Sequence, residues 1–115
     1  MIKRLVFLAM AWTLSGPSFA NPADCYERTQ AEALFGLHNY ELSMALCAAT
    51  GTSETVTCYH EARALFRVDP VRNAVALCKG APDTAPVDCY RAAYNQVSDP
   101  RHRSRHALQL CSARQ

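Results

Sequence analysis

CYHEARALFRVDPVRNAVALC, residues 58–78, is the stretch on which the fold turns. It opens with Cys-Tyr, closes with Leu-Cys, and is divided by Asp69-Pro70. Ahead of that pair, Tyr59, Ala62 and Phe66 recur at i, i+3 and i+7, the spacing of one helix face. Beyond it, Val71, Val75 and Cys78 recur at i, i+4 and i+7. Asp followed by Pro suits a helix cap and a first helical position. The stretch predicts helix, turn, helix, with a cysteine at each outer end.

The same plan flanks it on both sides. Cys25-Tyr26 runs to Leu46-Cys47, and Cys89-Tyr90 runs to Leu110-Cys111. The cysteines are 22, 20 and 22 residues apart within these stretches and 11 apart between them. A repeat of this period signals one supersecondary unit stacked on itself. Asp24, Thr57 and Asp88 are candidate caps for the three leading helices, with Glu27 completing a capping box for Asp24. Asn39 and Asp99-Pro100 are candidate starts for the other two trailing helices, after a break at Gly36 in the first unit. Tyr40, Met44 and Cys47 form the expected buried face of the first trailing helix, and Ser104, Leu108 and Cys111 that of the third. Gly51 and Gly80 stand where helix-terminating glycines belong. Strand patterning is poor, with β-branched residues gathered only between Thr50 and Thr57. The expectation is an all-α fold: three tandem antiparallel helical hairpins, six short helices, stacked as a small disulfide-stapled, solenoid-like domain. The units span about 24–50, 57–80 and 88–113.

An antiparallel hairpin places the start of its first helix beside the end of its second, and those are the cysteine positions of every unit. Pairs Cys25–Cys47, Cys58–Cys78 and Cys89–Cys111 use that geometry three times. Joining neighbours instead would strand Cys25 and Cys111 at opposite ends, beyond the roughly 7 Å reach of a disulfide. Each staple closes a loop whose restriction is worth about 3 kcal/mol in the chain-entropy account.

Farther out, residues 1–20 differ from the rest. Lys3 and Arg4 precede the apolar run Leu5 to Leu14, Gly16-Pro17 breaks it, and Ser18-Phe19-Ala20 offers small residues for cleavage. This is the layout of a signal peptide, and the run is shorter than the about 20 residues of a spanning helix. Asn21-Pro22-Ala23-Asp24 before Cys25 is a poor lipid-anchor box. The expected product, residues 21–115, is a single domain, periplasmic or secreted. An even cysteine count in a short exported chain points to disulfides. Without residues 1–20, ten Lys and Arg face ten Asp and Glu, so basicity is no argument for nucleic acid. The charge is uneven, however: residues 21–61 carry a net −5 and residues 62–115 a net +5.

Chemical motifs are scarce. There is no C-x-x-C, H-E-x-x-H, G-x-S-x-G or glycine-rich phosphate loop. His102 and His106, at i and i+4, can share a helix face, but two ligands seldom suffice for a metal. Tyr26, Tyr59 and Tyr90 suit repeat packing, with the ring buried and the hydroxyl at the edge. Arg101, Arg103 and Arg105 sit at the start of the last helix, where cations oppose the helix dipole. They are the candidate partner contacts.

The layout resembles that of helical-hairpin repeat proteins of the tetratricopeptide and Sel1-like kind. The resemblance is architectural: the tetratricopeptide Trp/Leu-Gly/Tyr pattern and the Sel1-type glycines are absent, so no binding residue carries over. The expected function is that of an exported, non-enzymatic protein-interaction module. A secreted or periplasmic inhibitor or effector is the alternative, and a small metal-binding or redox protein a further one. The expected partner is another protein, with no cofactor, no nucleic acid and no membrane span after signal removal.

Overall fold

The computed structural model describes residues 20–36, 39–48 and 50–112. The signal-peptide reading, Ala20 apart, lies outside these residues, as does His38. Among the described residues there are six helices and no strand: α1 (Pro22–Ala31), α2 (Tyr40–Leu46), α3 (Ser53–Arg63), α4 (Pro70–Cys78), α5 (Ala85–Gln96) and α6 (Arg103–Cys111). None is long and apolar enough to cross a membrane.

Disulfides join Cys25 to Cys47, Cys58 to Cys78 and Cys89 to Cys111, at Cα separations of 5.6, 5.8 and 5.6 Å. Each links the first half of one helix to the end of the next. Helices within a unit pack on each other, and across units α1 packs on α3, α3 on α5, α2 on α4 and α4 on α6. Leu46, Val56, Tyr59, Leu77 and Val87 are fully buried in the resulting core. Aromatic rings cross both unit boundaries. Phe35 meets Tyr59 edge-on at 5.1 Å between centroids, and Phe66 meets Tyr90 at 5.0 Å.

The leading helices start earlier than Asp24, Thr57 and Asp88. Their caps are Asn21, Thr52 and Thr84. Asn21 Oδ1 accepts from the Asp24 N–H at 3.2 Å, and Pro22 supplies the preset φ of a first helical residue. Asp24 thus becomes a first-turn acid, which the helix dipole favours. The capping box belongs to Thr52 and Thr55 rather than to Asp24 and Glu27. Asn39 caps α2 through the Leu42 N–H. Pro70 opens α4, although Asp69 has a left-handed backbone (φ 49°) and makes no side-chain cap. Pro100 does not open α6. Asp99 Oδ1 accepts from the Arg101 N–H at 3.0 Å and Oδ2 meets His102 Nδ1 at 2.9 Å, so a turn is fixed first and α6 begins at Arg103.

One buried face is also corrected. Tyr40 and Met44 of α2 are exposed, while Ser43 and Leu46 are buried. Ser43 turns toward α1, where Gln30 Nε2 donates to its Oγ at 3.2 Å, and Met44 is left 65% exposed. In α6, Ala107 and Cys111 are buried, Leu108 is half-buried and Ser104 is exposed.

The β-branched run between units has its own work. Thr50 Oγ1 donates to the Gly80 carbonyl, Thr52 Oγ1 to that of Pro82 at 2.9 Å, and Thr55 Oγ1 to that of Ala81. The Gly80 N–H reaches the Leu46 carbonyl at 2.8 Å. Gly80 has φ +67°, which lets the chain turn out of α4 into this clasp. At Gly51 a Cβ would sit 3.0 Å from the Cys47 backbone, a tight contact that glycine avoids where the linker passes the end of α2.

Candidate functional site

Four parts of the chain converge on an open groove of about 590 Å³: the turn after α3, Asn73 of α4, the second half of α5 and the start of α6. Tyr90 and Tyr94 lie one turn apart on α5, with ring centroids 5.8 Å apart. Tyr90 is buried under Phe66, and Tyr94 is partly exposed. Together with Leu65 and Val68 they give the groove an apolar, largely aromatic floor. Val68 is 77% exposed, an unusual position for a valine, and Asn73 Nδ2 holds its carbonyl at 2.9 Å.

Arg67 and Arg91 line the same groove, and among the described residues no carboxylate or histidine does. Arg91 is 3.8 Å from Asp88, a loose pair between exposed side chains. Of the three arginines picked out by sequence, the structure brings one to this place. Arg103 lies with its guanidinium 5.5 Å from the Tyr94 ring centroid, and its Nε donates to the Val97 carbonyl at 3.1 Å. That position suits a cation–π contact. Arg101 and Arg105 are exposed and do not line the groove. Arg67 and Arg91 were missed. Each follows directly on a buried aromatic, Phe66 and Tyr90, and that pairing is the signal available in the sequence.

Tyr90 Oη and Ser104 Oγ share a hydrogen bond of 2.8 Å. Elsewhere, the His102 and His106 rings stack at 5.6 Å. The hydrogen bond from His102, then that from the Arg101 backbone, holds the Asp99 carboxyl below the ordinary aspartate range. Among the described residues no three His, Cys, Asp or Glu side chains gather as a metal site. Every described cysteine is bonded in a disulfide, so none offers a thiolate.

A second polar cluster ties the first two units together. Glu32 meets His60 Nε2 at 2.6 Å and Arg28 Nε at 2.7 Å, while Arg28 also donates to the Ser53 carbonyl and to Thr57 Oγ1, both at 2.8 Å. The His60 hydrogen bond, followed by that of Arg28, lowers the Glu32 pKa from its ordinary value. These groups satisfy one another across the α1–α3 contact, and the cluster is structural.

No family model, curated protein or solved structure matches this chain.

Proposed function

We propose that the chain is exported by way of a signal peptide at residues 1–20 and acts as a non-enzymatic protein-interaction module. Its six cysteines, all paired, suit an oxidising compartment. One observation carries the interaction role. The groove joins an aromatic floor to Arg67 and Arg91, with Arg103 against the Tyr94 ring and no acid among the described lining residues. Aromatic residues and arginine are the side chains most enriched at recognition surfaces, and exposed cations beside a partly exposed ring suit an anionic partner. The partner is therefore a protein segment bearing an apolar side chain flanked by carboxylates. Disulfides staple both of the units that supply its lining residues, which lowers the ordering cost of binding.

Fluorescence polarisation with labelled Asp/Glu-rich peptides carrying one central Leu, Phe or Tyr tests this reading. Binding is expected to weaken as salt is raised and to fall about tenfold in the Arg67→Ala/Arg91→Ala variant. Both arginines are exposed, so the variant should keep the fold. Lysine-rich control peptides that bind as well as the acidic ones, or a double variant that binds as the parent does, would refute it.

A further inference from the structure

Aligning the three units on their cysteines exposes an asymmetry between inner and outer faces. Leu46 and Leu77, each just before a closing cysteine, are 0% exposed, whereas the equivalent Leu110 is 66% exposed. Cys25 and Cys58 are fully buried, while the equivalent Cys89 is exposed. Thr29 and Ala62 are buried, and Ala93 is half-buried. In the first two units this face is covered by the unit that follows. In the third no described unit lies on it, and Val97, His106, Gln109 and Leu110 line a shallow slot of about 340 Å³ there.

The opposite end shows the complement. Val56 and Val87 are fully buried and their equivalent Ala23 is exposed. Tyr59 and Tyr90 are buried beneath Phe35 and Phe66 of the preceding unit, and Tyr26 is half-buried. Val75 is 6% exposed and its equivalent Met44 is 65% exposed. Repeat arrays that stop cleanly end in polar capping faces. This chain keeps apolar repeat positions bare at both ends.

Charge says what covers them. The first unit carries Asp24, Glu27, Glu32 and Glu41 against Arg28. The last carries Arg91, Arg101, Arg103 and Arg105 against Asp88 and Asp99. The bare faces are therefore alike in their repeat chemistry and opposite in the charge of the units that bear them. We infer that the chain associates head to tail with a second copy of itself, the Cys89–Leu110 face of one copy covering the Tyr26–Met44 face of the next, in the register that already joins its own units. Such an interface is heterologous: its two sides differ, and the assembly keeps one free face of each kind, one on each end copy. It uses neither Arg67 nor the floor of the aromatic groove.

Analytical ultracentrifugation of the oxidised protein tests the inference. In low salt the weight-average mass is expected to rise with concentration, and to return toward the monomer as salt screens the end charges. Leu110→Glu blocks one end and Met44→Lys the other; both side chains are largely exposed, so each variant should fold, as circular dichroism would check. Alone, each variant should stay monomeric. Mixed, they should form a one-to-one dimer of about twice the monomer mass and nothing larger, because one intact pair of faces survives. A parent that stays monomeric at all concentrations overturns the inference. So does a mixture that fails to dimerise, and so does an association abolished by Arg67→Ala alone, which would place it in the groove.

Discussion

Tyr59 buries its whole side chain, and its hydroxyl is buried with no hydrogen-bond partner. Burial pushes its pKa above the ordinary tyrosine value of 10.0. The repeat explains the orphan. In the third unit the equivalent Tyr90 reaches Ser104, and the residue aligned with Ser104 in the second unit is Val71, which has no hydroxyl to offer. A buried polar group without a partner costs about 1–3 kcal/mol. Val71→Ser should supply the missing partner, whereas Val71→Ala removes the same methyl groups without doing so. The serine variant is expected to melt about 5 °C above the alanine variant in a thermal scan. Equal melting points would show that the aligned hydroxyl does not reach Tyr59. The Cys-Tyr pairs were plain in the sequence as a packing pattern; the orphan hydroxyl was not, because it depends on what stands 12 residues farther on at Val71 and 14 farther on at Ser104.

At the scale of elements, the contact between α1 and α3 is held by Arg28, Glu32 and His60 as well as by packing. Glu32 has a lowered pKa in the folded chain, so its contribution is present above the unfolded value near 4.5 and is lost as the pH falls through the folded value. Glu32→Gln should therefore be less stable than the parent at neutral pH, by less than about 1 kcal/mol because the pair is partly exposed. The gap should close on acidification below the ordinary glutamate range. Denaturant midpoints measured across that range would check it, and a gap that persists in acid would assign the effect to something other than ionisation. Six helices were legible in the cysteine spacing and the 3.6-residue periods, but their starts were less so. Asp24 and Asp88 look like caps in isolation. The chain preferred Asn21 ahead of Pro22, and Thr84 ahead of Ala85-Pro86, because proline in the first turn sacrifices no helical hydrogen bond. Likewise Thr50 to Thr55 read as weak strand former. Their hydroxyls are needed instead for the carbonyls of Gly80, Ala81 and Pro82, partners about 26–30 residues away that no local propensity reports.

For the whole molecule, the division into an acidic and a basic half was visible from composition, and so was the cluster Arg101, Arg103 and Arg105. The groove was not. Its walls come from residues 65–73, 90–95 and 104, and only the packing of α5 against α3 and α4 brings them together. Arg103 was found because cations at a helix start lack a local reason. Arg67 and Arg91 were hidden because a single arginine beside an aromatic is ordinary until the two aromatics prove to be neighbours. Tyr40 and Met44 were misjudged for a related reason: helical periodicity identifies an apolar stripe but not whether another unit exists to cover it.

The three disulfides are close to equal in sequence spacing, at 22, 20 and 22 residues, and unequal in access. Cys25, Cys47, Cys58 and Cys78 are enclosed, whereas Cys89 faces solvent. Thiol exchange requires an attacking thiolate to reach a sulfur, so accessibility ranks the three as targets. Brief exposure to a mild reductant, followed by alkylation and peptide mass spectrometry, should label Cys89 and Cys111 while the other four stay bonded; simultaneous labelling of all six would deny the ranking. The molecule would then carry a pair of thiols at one pole only, a chemically addressable end. Anything seated on that pole would register as a slower reaction there and nowhere else along the chain.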